Sequence, residues 1–443
     1  MTGKINQKET DLVRRCMETA LQAGADSIRL TLSKSIMDLV GTLNGEVDKV
    51  SHCFDLSLCV SIFAGGHFGT YSTNNLEEAG LDAFIKSAVE ATFIYAEDPF
   101  RRLPEPERTA TNAKDGNELK LYDPEYEAIT PQWRTRAALG ASIFKEYDII
   151  SEEGEYSDTL SDLLIMDSNG LFCRHTETSF DYGVEITVAD PDGNKFSSYW
   201  WESTPKLSDF KIDGCAKTAY DLAVAQFGPK DIKSGKYNVV IHNKVAGKIV
   251  TPIFKALSGY SIQQNNSFLN DSVGKRIFSE NLTIYDRCHS AGETGSRLFD
   301  SEGVATSVHP VVENGVVKEY FINTYIAGKL GMEPTIEDIT RPHILPWPKA
   351  GMDYNDIMAL CGEGILITDF NGGNNNSATG DFSYGFSGFY FKDGKIVHPV
   401  REMVVTGNLI RLWNNFVAAG EDSRLCKSKL IPTLAFSNVD ISA

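Results

Sequence analysis

Positive charge is scarce in this chain, paired thiols are missing, and no apolar run is long enough to leave water. Against 42 Lys and Arg stand 60 Asp and Glu, a formal charge of −18 with a pI near 4.9. Nucleic-acid binders gain affinity by neutralising phosphates with clustered cations. Contiguous basic residues here are only pairs such as Arg14-Arg15 and Arg101-Arg102, so direct nucleic-acid binding is not expected. The eight cysteines, at 16, 53, 59, 173, 215, 288, 361 and 426, contain no Cys-x-x-Cys pair and read as reduced, mostly buried thiols. No stretch approaches the roughly 18 consecutive apolar residues of a membrane span. The opening MTGKINQKETDLVRRCMETALQAG lacks the features of a signal peptide, so a cytoplasmic location is expected.

Catalytic signatures are also missing. No histidine precedes a glutamate, no Gly-Lys pair precedes Ser or Thr, and no serine has glycine two residues before and two after it. These gaps exclude the zinc-protease helix that starts His-Glu, the P-loop and the hydrolase nucleophile elbow. Gly362-x-Gly364 lacks the third glycine of a dinucleotide fingerprint, so nucleotide cofactors are not expected. Cys173-x-His175 and Cys288-His289 are too sparse for a metal site without a second pair.

What is present is an α+β pattern over 443 residues, long enough for two domains of roughly 200 residues each. Apolar side chains at 12, 13, 16, 17, 20 and 21 mark a helix over 8–23, ended by Gly24. Alternation over 26–63 about Asn44-Gly45 marks antiparallel strands. Helical spacing returns over 75–96 and 131–147, on either side of a Pro-rich loop, 99–124, that reads as a lid or a disordered crossing. Strands over 160–203 turn at Asn169-Gly170 and Asp192-Gly193, and a helix follows at 205–226. Gly228–Gly235 breaks all periodicity, which sets an N-terminal α+β domain at 1–230 and a strand-rich C-terminal domain at 235–443. Each domain is expected to hold a mainly antiparallel sheet with packed helices.

In the second half, a strand at 237–241 leads into a helix over 243–258. Two hairpins turn on Asn314-Gly315 and Asp393-Gly394, as candidate neighbours in one sheet. Leu409, Leu412, Trp413, Phe416 and Val417 mark a last helix, and 422–443 a closing loop and strand. Phe386, Phe389 and Phe391 occupy odd and even positions of one strand, so both faces of that sheet are apolar and need a cover. Before it lies the Gly- and Asn-rich tract 371–380. That strand, if it lay at an edge, could hold an extended peptide through its main chain.

Thr379-Gly380-Asp381-Phe382-Ser383, Gly385-x-Ser387-Gly388-Phe389, Asp393-Gly394-Lys395, Pro399-Val400 and Thr406-Gly407-Asn408-Leu409 together resemble the C-terminal signature of the TldD/PmbA family. Phe299-Asp300-Ser301-Glu302-Gly303-Val304 resembles its acidic-glycine motif, and Ser168-Asn169-Gly170 and Gly235-Lys236-Tyr237 extend the likeness over most of the chain. The family is known as two-subunit peptidases, historically called modulators of DNA gyrase. Its TldD-type subunit carries H-E-x-x-x-H on the helix after the first C-terminal-domain strand, with a downstream Cys completing a zinc site.

Here that helix reads Ala246 to Ala256, with Thr251, Pro252 and Ala256 at the His, Glu and His places. Cys426 lies near the place of the third ligand, but a thiolate alone is no site. The resemblance is therefore to the PmbA (TldE) type, with no zinc or other cofactor in this chain, the zinc expected in a TldD-type partner, and an extended peptide as substrate. The alternative is a peptide-binding homodimer without catalysis. No catalytic residue is assigned. Asp300, Glu302, Gly380, Asp381, Ser383 and Gly388 are the candidates for a peptide-facing or conformation-critical region. Asp300 and Glu302 share a face if extended, and read either as an acid–base pair or as a capped turn or surface carboxylates.

Overall fold

The computed structural model describes residues 3–443. Helix α1 (Gln7–Gln22) starts where Asn6 accepts from the Glu9 amide and the Glu9 carboxylate accepts from the Asn6 amide, a reciprocal cap for donors the first turn leaves free. Strands β1 (Ser27–Leu43) and β2 (Glu46–Ala64) turn on Asn44 and Gly45, with φ of 52° and 77°, the left-handed pair a two-residue hairpin requires. β3 (His67–Thr73), α2 (Glu78–Thr92), α3 (Pro131–Gly140), β4 (Ser151–Asp167), β5 (Phe172–Ala189), β6 (Lys195–Thr204) and α4 (Cys215–Val224) follow. The strands form one antiparallel sheet in the order β3-β2-β1-β4-β5-β6.

Alternation decides the faces of this sheet. Ile28, Leu30, Leu58, Val60 and Ile62 pack under α1 and α2, and Tyr156, Tyr182, Val184 and Ile186 under α3 and α4. The opposite face presents Ser33, Ser35, Ser157, Thr159, Ser161, Ser179 and Asp181, and no helix among the described residues covers it.

Three expectations in this half change. The loop 99–124 is neither lid nor disordered crossing. β6 pairs only with Phe180–Ala189, and the loop occupies the remaining edge of β5. Arg174, Thr176 and Thr178 amides donate to Ala113, Gly116 and Leu121 carbonyls at 2.8, 2.8 and 3.1 Å. Its Ala110, Ala113, Leu119 and Leu121 bury against Cys173, Leu298 and Phe299. The helix expected over 131–147 stops at Gly140, where the chain turns and the Ile143 amide is held by the Glu152 carboxylate. The helix expected from 205 starts only at Cys215, after Gly214 at φ 90°.

The segment 228–234 leads into β7 (Gly235–Ile241), α5 (Gly247–Leu257), α6 (Gly259–Gln263), β8 (Ile284–Asp286), β9 (His309–Glu313), β10 (Val316–Val317), α7 (Thr324–Leu330), β11 (Pro342–Ile344) and α8 (Tyr354–Cys361). Then come β12 (Glu363–Phe370), β13 (Asn374–Asn375), β14 (Asp381–Lys392), β15 (Lys395–Asn408), α9 (Leu409–Asn414), β16 (Phe416–Ala419) and β17 (Leu434–Ser442). The pairings β12-β7-β17-β15-β14 close on themselves because β14 also pairs with β12, which removes free edges from that ring.

Phe382, Tyr384 and Phe386 face α5 on one side, and Phe389 and Phe391 face Ile357 and Met358 of α8 on the other. Both apolar faces are thus covered by helices of the same chain. The two hairpins are not neighbours: β9–β10 belongs to a separate four-stranded sheet, β10-β9-β8-β11. The last helix ends at Asn414, and Phe416 and Val417 belong to β16, which pairs with β17. Tertiary strand pairing there overrides the helical spacing.

Candidate functional site

β7 delivers the chain to α5, whose Ile249, Val250, Ile253, Phe254 and Leu257 are buried in the larger core. Of the three positions aligned with His, Glu and His, Pro252 and Ala256 belong to this buried face and Thr251 is half-buried. They supply one neutral hydroxyl and no imidazole or carboxylate, so the donor set does not fit zinc. Among the described residues no three His, Cys, Asp or Glu side chains gather where they could hold a metal. Cys173 donates to the Ala110 carbonyl, His175 is bonded to Glu177, and His289 to Thr306.

Beside the start of α5 lies a groove of about 420 Å³ lined by Gly247, Thr294, Cys426, Lys427, Ser428 and Lys429. Burial raises the Cys426 pKa, which keeps the thiol protonated and a weak ligand. Through Thr294 and Ser428 the groove adjoins a second cavity of about 430 Å³ that contains Asp300, with Glu177, Arg297, Glu337 and Asp338 in its wall.

Asp300 accepts from the Glu302 and Val304 amides, both at 2.9 Å, and from the Glu337 amide at 3.0 Å. Burial nevertheless pushes its carboxyl up to about 6, with the Glu302 charge adding to the effect. Glu302 turns away to accept from the Thr324 amide and hydroxyl, at 2.9 and 2.8 Å, at the start of α7. Each carboxylate therefore organises backbone. The acid–base pairing is not made, the capped turn is the reading that holds for Asp300, and Glu302 is buried rather than on the surface.

The remaining candidates lie on β14 or, for Gly380, immediately before it. Gly380 sits at φ 79°, a left-handed conformation, with the Phe268 ring against the place a Cβ would fill. Asp381 is exposed and bonded to Asn408 and Thr379, and the Asn408 bond leads in lowering its pKa. Ser383 is exposed. At Gly388 a Cβ would stand 1.9 Å from the Leu366 carbonyl oxygen, beside an irregularity in the β12–β14 register. The idea of β14 as a peptide-accepting edge fails: β15 flanks it on one side, and β12 and β13 on the other. The Asn-rich tract is what folds back as β13, with Asn374 opposite Ser383.

A larger cleft, about 850 Å³, lies on the uncovered face of the N-terminal sheet, lined by Gly41, Glu155, Asp181, Glu185, Tyr199 and Trp201 among others. At its Trp end stand Lys244, Arg424 and Lys427, which sequence reasoning did not single out. The available signals were the Trp200-Trp201 pair and the Arg-x-x-Lys-x-Lys spacing at 424–429 in an otherwise acidic chain.

This α+β architecture, with no metal ligand at positions 251, 252 and 256 of α5, matches known proteins over nearly its whole length. The models for the PmbA/TldA metallopeptidase domain 1, central domain and C-terminal domain match residues 32–92, 124–227 and 234–443, and the chain belongs to this family. It is 25% identical to the metalloprotease PmbA of Escherichia coli O157:H7, over 97% of this chain and 96% of that protein. A Bacteroides thetaiotaomicron structure, called a modulator of DNA gyrase, has a TM-score of 0.94 at 34% identity, covering 99% of this chain and all of that one. TldE from Thermococcus kodakarensis shares the fold, with a TM-score of 0.82 at 17% identity over 98% of this chain and 100% of its own.

Proposed function

We propose that this chain is the non-metal, TldE/PmbA-like subunit of a TldD/TldE-type metallopeptidase that processes or degrades small unfolded peptides in the cytoplasm. The observation that carries the reading is the donor set of α5, where Thr251, Pro252 and Ala256 stand in a chain that otherwise matches the family from domain 1 to the C-terminal domain. Zinc belongs to a TldD-type partner, and this subunit contributes walls that receive the peptide.

Two surfaces support the division of labour. The polar, uncovered face of the N-terminal sheet carries the 850 Å³ cleft with its Tyr199–Trp201 wall. β2 pairs with β3 only over Leu58–Ala64, so residues 46–57 form a strand edge, with Val47, Val50 and Phe54 exposed at 42%, 69% and 46%. A bare, partly apolar edge of this kind is what a second subunit covers.

The test is metal content and hydrolysis of an unstructured peptide, on the isolated chain and after mixing with an H-E-x-x-x-H paralogue. Hydrolysis only in the mixture, with zinc in the paralogue, is expected. Stoichiometric zinc and cleavage by the isolated chain overturn the proposal. Peptide binding by a homodimer that gains no activity from the paralogue would instead favour the non-catalytic, peptide-holding alternative.

A further inference from the structure

In a chain of charge −18, three cations crowd the junction of β6 with the 422–431 loop and have one carboxylate in ion-pair contact. Arg424 is stacked 4.1 Å over Trp200 and 4.3 Å over Trp201. Its Nη2 donates to the Trp201 carbonyl and to Glu202 at 3.0 Å, its side chain is 10% exposed, and its buried Nη1 has no partner. Lys427 donates to the Asn243 and Lys244 carbonyls at 3.1 and 2.9 Å. The Lys244 ammonium rests 3.6 Å over the Tyr199 ring and has no ion pair among the described residues. Asp369 and Glu185 act on it only from a distance.

Burial, reinforced by the mutual repulsion of these cations, pulls both lysines down to about 8. Positive charge held out of water with too few counter-charges is a site that an anion would stabilise. Lys427 also lines the 420 Å³ groove together with Lys429, Ser428 and Thr294. The aromatic side chains form a shelf, with Tyr199 and Trp201 stacked at 5.5 Å and 22°.

We propose that Lys244, Arg424 and Lys427 form a carboxylate-binding site that takes the C-terminus of an extended peptide, whose preceding residues run over the Tyr199–Trp201 shelf into the adjoining cleft. The site deepens the peptide-capture reading and rests on it. The cleft decides which anion fits, because Asp48, Glu153, Glu155, Asp181, Glu185 and Glu202 line it against Lys49 alone. A polyanion such as a nucleic acid meets repulsion along that path. A peptide with one terminal carboxylate and basic residues upstream meets attraction at both ends.

The test uses the full chain and one unstructured peptide with Lys and Arg in its body, made with a free C-terminal carboxylate or as the amide. Binding is followed by calorimetry and tryptophan fluorescence. N-acetylglycine against N-acetylglycinamide serves as a small probe pair, and inorganic phosphate as competitor. The free acid is expected to bind about tenfold tighter than the amide, as for loss of one charge-assisted contact. That preference is expected to vanish in Lys244→Gln, whose ammonium makes no hydrogen bond that the fold needs. Lys427→Gln gives up two bonds to backbone and is the second variant.

Equal binding of acid and amide overturns the site while peptide capture stands. A preference for N-acetylglycine without any peptide binding sinks the capture reading and keeps a carboxylate site. If neither peptide nor N-acetylglycine binds, both fall. Displacement of the peptide acid by phosphate at equal concentration overturns the assignment to carboxylate.

Discussion

Gly388→Ala tests whether the family-type glycine of β14 serves backbone packing. The added Cβ would lie 1.9 Å from the Leu366 carbonyl oxygen, 3.0 Å from its carbon and 3.1 Å from the Ile367 Cα. All three are main-chain atoms, so no rotamer change relieves the contact. β12 and β14 would have to separate by more than about 1 Å to restore a normal contact, which interrupts the ladder around Ile367 opposite Gly388 and Leu366 opposite Phe389. Two weakened backbone hydrogen bonds, at about 1 kcal/mol each, add to an overpacking cost of about 1–3 kcal/mol. A loss of about 3–5 kcal/mol is expected. Gly183→Ala on β5 is the control, since its nearest neighbour would be Trp201 Cβ at an ordinary 3.9 Å. The assay is chemical denaturation followed by tryptophan fluorescence, with amide exchange on β12 and β14 to localise the loss. If Gly388→Ala stays within about 0.5 kcal/mol of the parent chain, the packing role is refuted and a ligand-facing role for this glycine gains ground.

The Asp300 carboxyl, raised from 3.8 to about 6 mainly by burial, favours the fold most when protonated, and that contribution is lost as pH rises through about 6. Denaturation at pH 4.5 and 7.5 is expected to show the advantage of the parent over Asp300→Asn shrinking at the higher pH by about 2 kcal/mol; a constant difference would contradict it. Arg134→Met should cost about 3–5 kcal/mol in unfolding free energy, because Asp158 is fully buried and held by Arg134 at 2.6 and 2.8 Å; a neutral outcome would mean the pair is replaceable. Lys244, lowered to about 8 by burial, is disfavoured in the fold while protonated, so stability of the parent relative to Lys244→Gln should rise between pH 8 and 10, and a flat difference would place its ammonium in water.

The α+β class and the hairpins at Asn44-Gly45, Asn314-Gly315 and Asp393-Gly394 were legible, because alternation and left-handed turn pairs are local properties of a few adjacent residues. Helix ends were less so. Gly140 and Gly214 mark boundaries inside longer amphipathic stretches, and Phe416 joined β16 because β17, eighteen or more residues later in the chain, offered it a ladder.

The candidate site divides along the same line. By itself the chain determined which chemistry α5 lacks, since no fold can turn Thr251, Pro252 and Ala256 into imidazole and carboxylate. Only the tertiary structure decided that Asp300 and Glu302 serve turns and helix starts, and that β14 is an interior strand. It also brought Lys244, Arg424 and Lys427 against Trp200 and Trp201. Donor chemistry belongs to single residues, whereas edge, burial and charge crowding depend on partners up to some two hundred positions away, and those meet only when the sheets are assembled.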